Sequence, residues 1–210
     1  MGSLSTDPLK DIVTAILSGN GSKGLESATR ALAEGFSIDA IISDGILAAW
    51  KDFSEWYDRD PMGSLKAWMD CFNATQKILK LLDSTVKVQT NPPFSVLVAT
   101  VKAEGHTLMR DILALVLKSR GLRVYTSKRG VIVEDLGESL SDDALKFVVL
   151  SCIEDQSKPN LEKLVKGIRA KRPDVRIIAG GPLAGISGAD VVIADPARVY
   201  DSLMNLAKSN

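Results

Sequence analysis

The segment QTNPPFSVLVAT, residues 89–100, separates two kinds of patterning in the sequence. Its first part, residues 89–93, carries a double proline and predicts a linker. Its second part, FSVLVAT (94–100), is a short apolar run that favours a strand. Similar runs recur at three later places, namely FVVLSCI (147–153), VRIIAGG (175–181) and ADVVIAD (189–195). Strands that are apolar on both faces are typical of a parallel sheet covered by helices.

The segments between these runs predict helices, at about residues 106–120, 138–146, 159–172 and 196–208. The segment GLRVYTS (121–127) adds a further strand, and GVIVEDLG (130–137) either extends it or forms an extra edge strand. Strands that alternate with helices in this way predict a doubly wound, flavodoxin-like (Rossmann-like) parallel sheet over residues 94–210.

Residues 7–88, before the linker, are patterned for helices throughout. Asp7 and Pro8 form a typical helix start, Gly35 closes a second helix, and Ser37 and Pro61 open the next two. Four amphipathic helices with short connections predict an antiparallel four-helix bundle. The fold class expected is therefore α/β with an α-helical N-terminal domain.

Composition narrows the classes of protein that fit. Lysine plus arginine total 26, as do aspartate plus glutamate, so the balanced charge argues against nucleic-acid or membrane-surface binding. No secretory signal and no apolar run of about 20 residues is visible, which predicts a soluble cytoplasmic protein. Cys71 and Cys152 are far apart in apolar surroundings and are interpreted as reduced, buried residues rather than metal ligands.

Three polar or glycine-rich elements follow predicted strands, where open parallel sheets bind their ligands. They are Glu104-Gly105-His106, Ser151 with Ser157 in the loop after it, and Gly180-Gly181-Pro182. Each has an ordinary structural interpretation, since a lone histidine is commonly a surface residue, a serine caps turns and Gly-Gly-Pro is a common turn. His106 is the only histidine of the chain, so a specific role rests on the set and its spacing.

This spacing resembles that of cobalamin-binding proteins with a helical cap, including the corrinoid proteins of methyltransferase systems and the corresponding module of methionine synthase. That family carries D-x-H-x-x-G, about forty residues, S-x-L, about twenty-seven residues and G-G. The present sequence has E-G-H-T-L-M, 41 residues, S-C-I, 26 residues and G-G. It departs from the pattern at Glu104, which replaces aspartate, and at Met109, which replaces glycine. The resemblance covers nearly the whole chain.

The resemblance implies a role for each element. His106 would be the lower axial ligand of cobalt, oriented by Glu104, with Ser157 hydrogen-bonded behind that carboxylate. Gly180 and Gly181 would leave room for the nucleotide tail, and Ser151 would bond its base. The helical cap would shield the upper corrin face. The cofactor-binding residues implied in addition to these are Gly105, Thr107, Met109, Ile153, Pro182, Trp50 and Phe53.

Two functions follow from the resemblance. The first is a methyl carrier, which holds a methyl group on cobalt (as methylcobalamin or a related corrinoid) between partner methyltransferases, with a reductive activator as a further expected partner. The second is a cobalamin-dependent sensor module that responds to adenosylcobalamin or light and lacks its own DNA-binding domain. The carrier is favoured because the sequence has no visible substrate site of its own and no charge excess for DNA. A bundle and sheet whose sites have decayed is the remaining alternative.

Overall fold

A computed structural model of the chain describes residues 7–59, 65–87, 89–127, 129–182, 184–186, 188–193 and 196–209. Contacts within the chain divide it into two compact units, Met1–Val86 and Lys87–Asn210. The division falls a few residues before the double proline of the linker segment. Each unit is built around its own hydrophobic core.

The first unit is helical in its described residues. Its elements are α1 (Pro8–Leu17), α2 (Gly21–Ala33), α3 (Ile38–Ala40), a π-helical segment (Ile41–Leu47), α4 (Ala48–Tyr57) and α5 (Leu65–Thr85). Residues 38–57 run on without interruption, so the chain forms the four helical segments that its patterning predicts. The expected starts at Asp7 and Ser37 are confirmed, because each side chain accepts a hydrogen bond from a backbone N–H of the helix that follows. The start predicted at Pro61 lies outside the described residues.

The second unit contains a five-stranded sheet in which every neighbouring pair is parallel. Its strands are β1 (Ser95–Thr100), β2 (Arg123–Thr126), β3 (Leu145–Ser151), β4 (Arg176–Gly180) and β5 (Val191–Val192). Their order across the sheet is β2-β1-β3-β4-β5. This is the flavodoxin-like order, so the predicted fold class is confirmed.

Helices cover both faces of this sheet. Helices α6 (Leu108–Ser119) and α9 (Val199–Lys208) pack against one face through Leu117 and Leu203. Helix α8 (Lys158–Lys171) packs against the other face through Leu164 and Ile168. All six residues of β1 are buried, which explains why its sequence is apolar without alternation.

Two predicted elements are wrong. Residues 130–137 form no strand; Val131 makes a single bridge with Val101, and a 3-10 turn follows at Val133–Leu136. That turn is closed by Asp135, whose carboxylate accepts a hydrogen bond from the Ile132 N–H at 3.0 Å.

The helix predicted at 138–146 is also too long. Helix α7 covers only Gly137–Leu140, and β3 already begins at Leu145. Asp142 sets this boundary, because its side chain accepts from the Ala144 N–H and its carbonyl accepts from the Leu145 N–H. The turn so formed redirects the chain into the sheet.

β1 and β3 are neighbours in the sheet but are not consecutive in the chain. The strand order therefore reverses between them. Loops after two such strands diverge to opposite faces of the sheet and leave a crevice at their carboxyl ends. The loop after β1 carries Glu104 and His106, and the loop after β3 carries Ile153 and Ser157.

Among the residues with described positions, no helix is long and apolar enough to span a membrane.

Candidate cofactor site

The loop after β1 is a tight turn that points two side chains in different directions. The Glu104 N–H donates to the Val101 carbonyl at 3.0 Å, and Ala103 between them adopts a left-handed conformation with φ 72°. After this turn the Glu104 side chain is buried, whereas the His106 side chain remains 47% exposed. The loop thus places the Glu104 carboxylate inside the protein and the His106 imidazole at its surface.

Glu104 ties together the two loops that border the crevice. Its Oε1 accepts hydrogen bonds from the backbone N–H of His106 at 2.9 Å and lies 3.0 Å from the His106 Nδ1. Its Oε2 accepts from the backbone N–H groups of Ile153 at 2.7 Å and Glu154 at 3.0 Å. Burial raises the pKa of this carboxyl, but the backbone donors at Glu154, Ile153 and His106 and the imidazole together outweigh it. The pKa of Glu104 therefore lies below its ordinary value.

Glu154 is a second carboxylate at the same imidazole, and sequence reasoning missed it. Its Oε1 lies 2.9 Å from the His106 Nδ1 and accepts from the Gly105 N–H at 3.2 Å. With two carboxylates at Nδ1, the neutral imidazole carries its proton there. Nε2 has no hydrogen-bond partner in the part of the chain that the structure describes. The arrangement offers an imidazole nitrogen lone pair to a transition metal.

The predicted bond between Ser157 and Glu104 is absent. Ser157 is fully buried at the end of a 3-10 turn (Asp155–Ser157), and its Oγ has no partner among the described residues. The Glu104 carboxylate instead accepts from the backbone N–H groups of Ile153 and Glu154 through Oε2.

A cavity of about 140 Å³ lies between the ends of β3 and β4 and the helices α6 and α9. Five of the predicted cofactor-binding residues line it, namely Met109, Ser151, Ile153, Gly180 and Gly181. Aliphatic side chains such as Val98, Leu113 and Ile178 form most of the remaining wall. Ligand pockets for whole small molecules measure roughly 300–1,000 Å³, so this cavity suits one part of a larger ligand.

The two glycines keep the cavity and its rim free of side chains. A Cβ on Gly180 would lie 3.2 Å from the Ile193 carbonyl oxygen. A Cβ on Gly181 would lie 2.5 Å from the Cys152 carbonyl oxygen, and its φ of 93° is one that other residues rarely adopt. The backbone therefore requires glycine at 181 and leaves little room for a side chain at 180.

The remaining predicted residues, Thr107, Pro182, Trp50 and Phe53, are not among the residues that line this cavity. Thr107 precedes α6 without capping it through its side chain, and Pro182 is exposed in the turn after Gly181. Trp50 and Phe53 belong to α4 of the first unit, with ring centroids 5.5 Å apart. The Trp50 indole donates to Thr75 at 3.0 Å, and Phe53 is buried. Their contact with a cofactor stays a prediction.

Cys152 is a buried free cysteine in the loop after β3, next to Ile153. It is 1% exposed, and burial together with the charges of Glu104 and Glu154 raises its pKa to about 11. The sulfur is therefore a neutral thiol at neutral pH, as the apolar context of the sequence predicts. Cys71 is likewise a buried free cysteine.

The sequence of the chain matches a known protein family and curated relatives. Residues 94–202 match the B12 binding domain. Dimethylamine corrinoid protein 3 of Methanosarcina acetivorans is 25% identical over 193 residues, which cover 89% of this chain and 88% of that protein.

Two solved structures share the fold. The monomethylamine corrinoid protein of Methanosarcina barkeri superposes with a TM-score of 0.77 at 17% identity, over 96% of this chain and 100% of that one. A chain of the methanol:cobalamin methyltransferase complex of the same organism gives 0.51 at 14% identity, over 96% and 81%. These likenesses extend across both units.

The residues of the site fit the group that such a domain binds. An unpartnered imidazole nitrogen suits a transition metal, and an aliphatic cavity kept open by Gly180 suits a ligand's side arm. The match of residues 94–202 in a chain of 210 thus agrees with the site's own chemistry. The chain belongs to the B12-binding family, and its cofactor is a corrinoid.

Proposed function

We propose that this protein is the corrinoid carrier of a methyltransferase system and that His106 is the lower axial ligand of its cobalt. The observation that carries the proposal is the His106 imidazole, which two carboxylates hold through Nδ1 while Nε2 is left without a described partner. The similarity to corrinoid proteins for methylamines over both units supports the carrier role. The likeness to a chain of a methyltransferase complex supports partner methyltransferases.

Each part of the site has a task in this proposal. Cobalt in the bound corrinoid supplies a centre that takes up and releases a methyl group. Glu104 and Glu154 fix the tautomer and the orientation of the His106 ring, as carboxylates do behind metal-bound histidines. The cavity beside Gly180 receives the nucleotide tail, and Ser151 in its wall supplies a hydroxyl for the base.

Because His106 is the only histidine, isotope labelling identifies it without ambiguity. Protein grown with ¹⁵N-histidine and loaded with cobalamin is reduced to the cobalt(II) state. We expect its electron paramagnetic resonance lines to change from the ¹⁴N triplet splitting to a ¹⁵N doublet. In His106→Ala the doublet should be absent while the protein stays folded, with an unfolding free energy lowered by about 1.5 kcal/mol at most, since the ring is half exposed but bonds the buried Glu104 carboxylate.

An unlabelled sample prepared in parallel serves as the control for the splitting. A triplet that persists in the labelled protein would mean that the base of the cofactor, or another nitrogen, still holds the cobalt. Ligation by His106 would then be wrong.

The carrier role is tested by transfer of a labelled methyl group. The protein loaded with ¹³C-methylcobalamin is mixed with the methyltransferase encoded beside it and with an acceptor such as tetrahydrofolate. We expect labelled acceptor by mass spectrometry only when both proteins are present, because the described site binds the corrinoid but provides the acceptor with no binding residues of its own. Omission of the methyltransferase is the control.

Size-exclusion chromatography of the adenosylcobalamin and methylcobalamin forms, in the dark and in light, tests the sensor alternative. A change of assembly in light together with no methyl transfer would contradict the carrier proposal.

A further inference from the structure

Arg110 is a buried arginine in the wall of the cavity, in the first turn of α6. Its side chain is only 4% exposed. Nε and Nη2 both donate to Asp111 Oδ1, at 2.9 and 2.6 Å. Nη1 is buried and has no hydrogen-bond partner among the described residues. The guanidinium is thus satisfied on one side and unsatisfied on the other.

An unsatisfied donor on a buried charged group is costly, more so than on a neutral one. The donor at Nη1 belongs to a side chain that lines a cavity with otherwise mostly aliphatic walls, where Ser151 is the other described polar side chain. A group that enters the cavity and accepts a hydrogen bond would remove this cost.

The free Nη1 donor favours an anion as that acceptor, because Asp111 pairs only the other edge of the guanidinium. Arg110 is positive, and it lies in the first turn of a twelve-residue helix, where backbone N–H groups and the helix dipole also favour negative charge. No carboxylate lines the cavity among the described residues. The tail of a cobalamin carries one permanent negative charge, on its phosphodiester, and its base is neutral. Guanidinium groups bind phosphate oxygens with strong, directed hydrogen bonds.

We propose that Arg110 binds the phosphodiester of the corrinoid's nucleotide tail through Nη1. The inference rests on the proposed function, in which that tail enters the cavity beside Gly180. It assigns to this chain a residue that selects corrinoids with a complete phosphate-bearing tail over those without one. Arg110 acts on affinity and on ligand choice, and it is separate from the cobalt ligand His106.

Three corrinoids separate the possible contacts of Arg110. Cobalamin has phosphate and base, cobinamide phosphate has phosphate without base, and cobinamide has neither. Their affinities are measured by visible titration of the wild type, Arg110→Gln and Arg110→Lys. Arg123→Gln, which removes a half-exposed guanidinium on β2 outside the cavity, is the matched control.

In Arg110→Gln we expect the affinity for cobalamin and for cobinamide phosphate to fall about tenfold to a hundredfold, the size of a lost charge-assisted hydrogen bond. The affinity for cobinamide should stay within about twofold. Arg110→Lys should lose less, because it keeps the positive charge, and Arg123→Gln should match the wild type with all three ligands.

Different results would overturn the inference in recognisable ways. Equal losses for all three corrinoids, or no loss at all, would exclude a contact with the tail, and a loss confined to cobalamin would move the contact from the phosphate to the base. If Arg110→Gln does not fold, the ³¹P resonance of bound cobalamin in the wild type and in Arg110→Lys decides, since identical shifts would exclude the contact. A wild type that binds cobinamide as tightly as cobalamin would instead contradict entry of the tail, and with it the proposed function.

Discussion

In Gly180→Val, the affinity for cobalamin is expected to fall by about a hundredfold or more. The added side chain would enter a cavity of about 140 Å³ that the proposed function assigns to the nucleotide tail. Overpacking of a filled site costs up to about 3 kcal/mol, which corresponds to more than a hundredfold in affinity. Visible titration with cobalamin measures the loss.

Cobinamide, which has no nucleotide tail, provides the internal comparison, and its affinity should change much less. Gly185→Val is the matched protein control, because a Cβ at Gly185 would meet no atom within 4 Å. Normal cobalamin binding by Gly180→Val would show that the tail does not run past Gly180. A large loss in Gly185→Val would instead point to a general effect of valine on the loops after β4.

Glu104→Gln is expected to have the largest effect on the stability of the second unit, about 2–3 kcal/mol, since it weakens hydrogen bonds to a buried charge. Each carboxylate oxygen accepts from backbone N–H groups, Oε1 from His106 and Oε2 from Ile153 and Glu154. Whichever way the amide of glutamine turns, its NH₂ group faces donors. At least one buried backbone N–H is therefore left without an acceptor.

Urea denaturation of the apoprotein, followed by circular dichroism and by hydrogen exchange, measures this effect. Tryptophan fluorescence is unsuitable, because Trp50, Trp56 and Trp68 all lie in the first unit. We expect faster exchange at the amides of residues 153 and 154 in Glu104→Gln. Glu154→Gln is the matched control and should cost less, because that carboxylate is more exposed and accepts from a single backbone N–H, that of Gly105. Equal losses in the two variants would contradict the anchoring role of Glu104.

The strands could be predicted from the sequence because burial on both faces leaves a direct compositional trace. β1 and β4 lie within the apolar runs that predicted them, and β3 begins two residues before its run and overlaps most of it. The segment 130–137 is also rich in aliphatic residues, like the strands. Its last part nevertheless forms a 3-10 turn, in which the Asp135 carboxylate accepts a hydrogen bond from the Ile132 N–H. A local side-chain contact therefore overrode the strand pattern.

The site was predictable where its residues are neighbours in the chain and unpredictable where they meet through the fold. Glu104 and His106 are two positions apart, so their contact follows from the motif. Glu154 reaches the same imidazole only because the loops after β1 and β3 meet at the reversal of strand order. Its sole signal was an acidic residue soon after a predicted strand, which is too common to single out.

Arg110 was hidden for a different reason. Next to Asp111 at a helix start it has the composition of an exposed ion pair, and only the fold shows that this part of α6 borders a cavity. Ser157 shows that a matching position does not guarantee a matching contact. Its position agrees with the family pattern, but the hydrogen bond predicted from that pattern is absent. The Glu104 carboxylate accepts from the backbone N–H groups of Ile153 and Glu154 and not from that serine.

The two contacts between the Glu104 carboxylate and His106 affect the rate at which the imidazole can bind a ligand. A single oxygen, Oε1, lies within hydrogen-bond distance of both the backbone nitrogen and the ring Nδ1 of the same residue, so the ring is fixed to the chain at two points. The entropy of holding a side chain still, about 0.5–1.5 kcal/mol, is thus lost when the protein folds and not when a ligand arrives. If Nε2 binds cobalt as proposed, the imidazole stays in position when that bond breaks, and the rate of rebinding is set by bond formation and not by a search through rotamers.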